Sequence, residues 1–126
     1  MVTARTIRAA LEGIIYDFGL SKGLPVVFEN LDTPVQESTY LTTHLIPAKT
    51  TFDTFTGDKQ HGIFQINLYT PQRQSVVEAD ELADEIIALY PVGKLKHITI
   101  EQPTCRNQGL YVNGWYAITI TVNYRS

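Results

Sequence analysis

One stretch, Gly62 to Tyr90, restricts the fold more than any other. Within it, Phe64, Ile66 and Leu68 alternate with Gln65, Asn67 and Tyr69. A period of two marks a half-buried strand. Thr70 and Pro71 stop that strand, because proline lacks the N–H that a ladder needs. Ser75 then opens a helix, with Glu78 three residues later. At that spacing the two side chains satisfy each other's free backbone donors, as in a capping box. Val76, Ala79, Leu82, Ala83, Ile86 and Tyr90 follow at helical spacing, and Pro91 closes the helix. A strand and a helix, tightly joined and each apolar on one face, pack most simply on each other. The other segments must complete the sheet.

The bulk properties exclude several classes. A chain of 126 residues suggests one domain. Such a chain buries roughly two-thirds of its unfolded surface and needs no staple. The single cysteine, Cys105, forbids an intramolecular disulfide and fits a reducing compartment. Thirteen acidic residues against ten Lys and Arg give a net charge of -3, without the basic excess of a nucleic-acid binder. No apolar run approaches the ~20 residues of a membrane span. The basic N-terminus leads into an amphipathic segment rather than the apolar core of a signal peptide. The chain reads as a soluble intracellular product without internal repeats.

Thr3 to Phe18 reads as a helix whose stripe is Ile7, Ala10, Leu11, Ile14, Ile15 and Phe18. Gly13 weakens it by about 1 kcal/mol unless its small size allows close packing. Gly19 and Gly23 end it. Pro25 to Glu29 is a short strand, Asn30 to Ser38 a loop, and Thr39 to Ile46 a second strand. In that strand Leu41, Thr43 and Leu45 face one way, and Tyr40, Thr42, His44 and Ile46 the other. The segment 48–61 is long for a hairpin link, and it reads as a projecting loop or hairpin with Gly57-Asp58 near its tip. Beyond the second helix, Leu95 to Glu101 is a strand that Gln102-Pro103 breaks. Thr104 to Gly114 is ambiguous, and Asn113-Gly114 is a tight-turn signal. Trp115 to Tyr124 is the clearest strand. The expected fold is therefore α+β, order α-β-β-β-α-β-β. It is a mostly antiparallel sheet of about five strands with two helices packed on one face.

No catalytic constellation is legible. His44, His61 and His97 do not pair at metal-ligand spacing, and one cysteine is too few for a zinc cluster. Cys105 with a histidine would make a nucleophile pair only if the fold brought them together. No Gly-rich phosphate loop or nucleophile elbow occurs. No metal, cofactor or catalytic residue is expected. The second helix is more informative. Glu78, Asp80, Glu81, Asp84 and Glu85 share it with no Lys or Arg from Ser75 to Tyr90. Its like-charge i,i+4 pairs each cost ~0.2–0.5 kcal/mol in an isolated helix. The plain reading is a solvated face; the functional one is a surface for a basic partner or a neighbouring subunit. Lys94, Lys96, His97 and Arg106 form a small basic group that such a face would meet in a head-to-tail ring. Phe52 and Phe55, among threonines and charges, are either a satellite cluster or anchors for another chain.

Taken together, the pattern resembles the tail terminator proteins of long-tailed, non-contractile bacteriophages of the lambda type, over nearly the full chain. The N-terminal amphipathic helix leads into Pro25-Val26-Val27-Phe28-Glu29-Asn30, Pro34, and a strand from Tyr40-Leu41 to Pro47. The loop, the Gly62 to Pro71 strand, an Ala-Asp-Glu-Leu helix and Trp115 to Tyr124 follow. Order and lengths carry the resemblance. Where relatives place glycines after the strand's proline, this chain has Gln72-Arg73-Gln74.

The resemblance implies a structural, non-enzymatic phage or prophage tail protein. It implies a homohexameric ring that caps the tail tube, ends its polymerisation and offers the head-joining surface. Its implied partners are copies of itself, the tail tube protein and a head-completion protein. DNA would only pass through the lumen, without sequence-specific binding, and no membrane is involved. The implied location is the virion tail, assembled in the bacterial host cytoplasm. The expected interface residues are Lys49, Phe52, Asp53, Phe55, Asp58 and Lys59 in the loop, Asp80 and Asp84 on the helix, and Lys94 and Lys96 beyond it. A head-completion or tail-tube subunit is the near alternative. A small α+β enzyme or ligand-binding domain with an inter-subunit pocket is the distant one, and a bound small molecule, or His44, His61 and Cys105 clustered in one cleft, would favour it.

Overall fold

A computed structural model describes residues 4–28, 39–47, 61–71, 76–95, 98–110 and 115–125. Helix α1 spans Ala4–Lys22 and is followed by β1 (Val26–Val27), β2 (Tyr40–Pro47) and β3 (His61–Pro71). Helix α2 spans Val76–Ala88, and β4 (Gly93–Leu95), β5 (Ile98–Ile100), β6 (Thr104–Leu110) and β7 (Trp115–Arg125) complete the chain. Among the described residues the sheet has seven strands in the order β1-β2-β3-β7-β5-β4, with β6 also paired to β7. All pairings are antiparallel except β1 with β2. The architecture is α+β, and the additional strands are short or irregular. Lys94 and its neighbours form β4 on β5, and β6 emerges from the ambiguous 104–114 region with a bulge between Asn107 and Gly109.

The frame of the sheet is β3 against β7, paired over their whole lengths from His61↔Arg125 to Pro71↔Trp115. Residues directly opposite one another share a face. One face therefore carries Leu41 and Leu45, then Phe64, Ile66 and Leu68, then Ile118, Ile120, Val122 and Tyr124, all buried. Both helices cover this face. α1 contributes Ile7, Leu11, Ile15 and Phe18, and α2 contributes Ala79, Ala83 and Ile86, with Tyr90 just beyond it. Tyr90 joins the layers: its ring lies 6.1 Å from that of Phe64, and its hydroxyl donates to the Leu11 carbonyl at 2.8 Å.

Two local expectations are corrected. α1 runs one turn past Phe18, through Gly19. It stops at Gly23, whose φ of 70° only glycine adopts readily. The Leu24 N–H bonds back to the Gly19 carbonyl at 2.8 Å, the 6→1 bond of a Schellman motif. Gly13 makes no close contact; a Cβ there would meet nothing within 4 Å. The close approach is at Gly19, where a Cβ would lie 2.6 Å from Val26 Cγ2. As expected, β3 stops at Pro71, its last residue, opposite Trp115. α2 ends by tightening: Leu89 and Tyr90 donate to the carbonyls of Ile86 and Ile87, three residues back. Ser75 of the expected capping box, the Asn113-Gly114 turn and residues 48–60 of the projecting loop lie outside the described residues.

Candidate assembly surfaces

The acidic face of α2 is open. Glu78, Asp80, Glu81, Asp84 and Glu85 are all exposed. Among the described ion pairs only Glu85 finds a cation, Lys22 of α1 at 3.0 Å. That pair is partly solvated and contributes at most about 1 kcal/mol. Asp80 and Asp84 lie close enough to β6 for their charges to act on Cys105, which is paired opposite Ile120. The Cys105 thiol is pushed above its ordinary range, first by partial burial and then by the charges of Asp80 and Asp84. A raised pKa makes a thiol a poorer nucleophile at neutral pH.

The register decides how the titratable groups are arranged. His44 lies opposite Gln65, His61 opposite Arg125, and both belong to the face turned away from the helices. Cys105 belongs to the helix-covered face. The sheet thus separates the groups that a nucleophile pair would have to bring together. Among the described residues no three His, Cys, Asp or Glu side chains converge as a metal site. His97 lies outside the described residues.

The face without helices has features that the sequence did not single out. Asn67 is its hub. It donates to Thr42 Oγ1 at 3.2 Å, and its Oδ1 accepts from Thr119 Oγ1 at 2.9 Å and Gln65 Nε2 at 3.1 Å. At one end the Tyr40 ring stacks on Tyr69 at 5.0 Å and meets Trp115 edge-on at 5.3 Å. These side chains hold the off-core positions of β2, β3 and β7. Their alternation was visible; their meeting was not, because it depends on register. A small apolar group sits at the β1 edge, where Tyr16 (50 % exposed) lies beside Phe28, with Leu20 (66 % exposed) one turn along α1.

Of the expected interface residues, Asp80, Asp84 and Lys94 are exposed. The structure does not gather them into one patch: Asp80 and Asp84 project from α2, and Lys94 lies on β4. Lys49, Phe52, Asp53, Phe55, Asp58, Lys59 and Lys96 lie outside the described residues.

A family model described as phage tail terminator protein matches residues 6–124, nearly the whole chain and both layers of the fold. The chain belongs to the phage tail terminator family. It is a structural component of a phage tail. One solved protein, 24% identical in sequence, shares the fold with a TM-score of 0.76 over 99% of this chain and 96% of its own. No curated protein matches the sequence. No helix of the described residues is long and apolar enough to cross a membrane.

Proposed function

We propose that this tail terminator forms a ring, a homohexamer, that caps the finished tail tube, ends its polymerisation and presents the surface on which the head is joined. Family membership across residues 6–124 carries the reading. The layering supports it: both helices cover one face of the sheet, while the outer side of α2 and the His61, Arg125 and Lys94 end of the other face are exposed. Copies of the chain, the tail tube protein and a head-completion protein are the partners. DNA passes through the lumen without being read. Assembly takes place in the host cytoplasm, and the gene belongs to a phage or a prophage.

The test is complementation of a terminator-deficient phage, with tail lengths measured by electron microscopy. The intact chain is expected to restore tails of uniform length that join heads. Deleting Thr50 to Gln60 is expected to leave a folded protein that no longer caps tails. Uniform, head-joined tails from the deletion variant would remove the loop from the assembly surface. Overlong tails with the intact chain would remove the capping function itself.

A further inference from the structure

None of the described strands contains an Asp or Glu. The described carboxylates lie on the helices, apart from Glu101, which sits just past β5 with its backbone N–H on the Asn123 carbonyl. The face away from the helices does carry cations. Lys94 is paired opposite Thr99, Thr99 opposite Arg125, and Arg125 opposite His61. Side chains so paired project to one face, so Lys94, Thr99, Arg125 and His61 form a row across β4, β5, β7 and β3. Lys94, Arg125 and His61 are exposed, and neither described ion pair uses Lys94 or Arg125.

The acidic side of α2 and the Lys94–Arg125 row thus lie on opposite layers of one molecule, with Glu101 sharing the row's face and Lys22 of α1 paired to Glu85. A single copy cannot bring its own α2 to the opposite face of its own sheet, but a neighbour can. The dimensions agree. Lys94 and Arg125 stand two strand spacings apart, ~10 Å. Glu78, Glu81 and Glu85 run along one side of α2 over two turns, also ~10 Å. We infer that the Lys94–Arg125 row docks on the acidic face of α2 in the next copy. The contact joins two different surfaces and so propagates head to tail, closing into a ring when the rotation allows. This rests on the self-assembly reading above and assigns its contact surfaces. Duplex DNA is the poorer fit for the row, because it presents one charge per ~1.7 Å, far denser than two fixed cations over that span.

The test measures the mass of the full chain by light scattering over a range of concentrations, at low and high salt. Mass is expected to rise with concentration and to fall with salt. Lys94→Glu with Arg125→Glu, and separately Glu78→Lys with Glu81→Lys, should each weaken association by at least about tenfold. Lys94→Gln with Arg125→Gln should weaken it less. An equimolar mixture of the two charge-reversed proteins should recover the wild-type mass, since each then meets its complement on both surfaces. Misfolded chains could not give that recovery. An unchanged mass in the reversed variants overturns this contact while leaving self-assembly intact. A wild-type mass indifferent to concentration and salt overturns it as well, and tail capping is then judged by complementation alone. A row variant that assembles normally but loses retardation of duplex DNA overturns it in favour of a DNA surface.

Discussion

At the scale of single residues, two buried hydroxyls have opposite fates. Thr43 faces the core from β2, fully buried, and its Oγ1 has no hydrogen-bond partner. Thr43→Val keeps the branched shape and removes the unsatisfied oxygen. Equilibrium urea unfolding should show a gain of about 1 kcal/mol; a loss would mean that the hydroxyl is satisfied. The Tyr90 hydroxyl is bonded to the Leu11 carbonyl, and Tyr90→Phe should cost about 1 kcal/mol. Burial raises the pKa of Tyr90, and the nearby charge of Glu12 raises it further. The folded state thus keeps its proton at a pH where the unfolded state, titrating near ~10, has lost it. The sign follows: stability is level below about pH 10 and falls as the pH rises above it. Tyr90→Phe should flatten part of that alkaline decline. Tyr124, also raised by burial though partly offset by Arg8, should leave a remainder. A decline identical to wild type would show that the Tyr90 proton is not held by the fold.

At the scale of elements, two glycines of α1 test where the helix is crowded. Gly13 is exposed and open, so Gly13→Ala should stabilise by about 1 kcal/mol through helix propensity. Gly19 lies against β1, and an added Cβ would sit 2.6 Å from Val26 Cγ2 and 2.8 Å from the Leu24 carbonyl oxygen. Gly19→Ala should therefore destabilise by roughly 1–3 kcal/mol, as overpacking does. Thermal melts of both variants decide it, and equal shifts would contradict the packing of α1 on β1. The pair also marks what the sequence could tell. The stripe Ile7, Leu11, Ile15 and Phe18 announced α1 because burial follows a local period. Nothing local distinguished Gly19 from a helix stop, because its role comes from a strand that returns to it. The inward faces of β3 and β7 were legible in their alternation for the same local reason. The Lys94–Arg125–His61 row was not, since it joins residues far apart in the chain through three registers. The acidic side of α2 was plain from composition, whereas its nearness to Cys105 required the β6–β7 pairing.

At the scale of the whole molecule, stability should be graded from the centre of the sheet to its rims. β3 and β7 share eleven paired positions, and each has a further strand on its other side. Ile66, Leu68, Ile118, Ile120 and Val122 are sealed beneath the helices. β1 has two residues, β4 three, and they form the two ends of the strand order. Opening an end releases few hydrogen bonds and little apolar surface, whereas separating β3 from β7 unfolds the core. Native-state hydrogen exchange should accordingly give the slowest amides between Phe64 and Leu68 and between Ile118 and Val122, exchanging only through global unfolding. Amides of β4 and β1 should exchange through local openings with little denaturant dependence. Protection of β4 equal to that of β7 would mean that the sheet unfolds as one unit, without yielding ends.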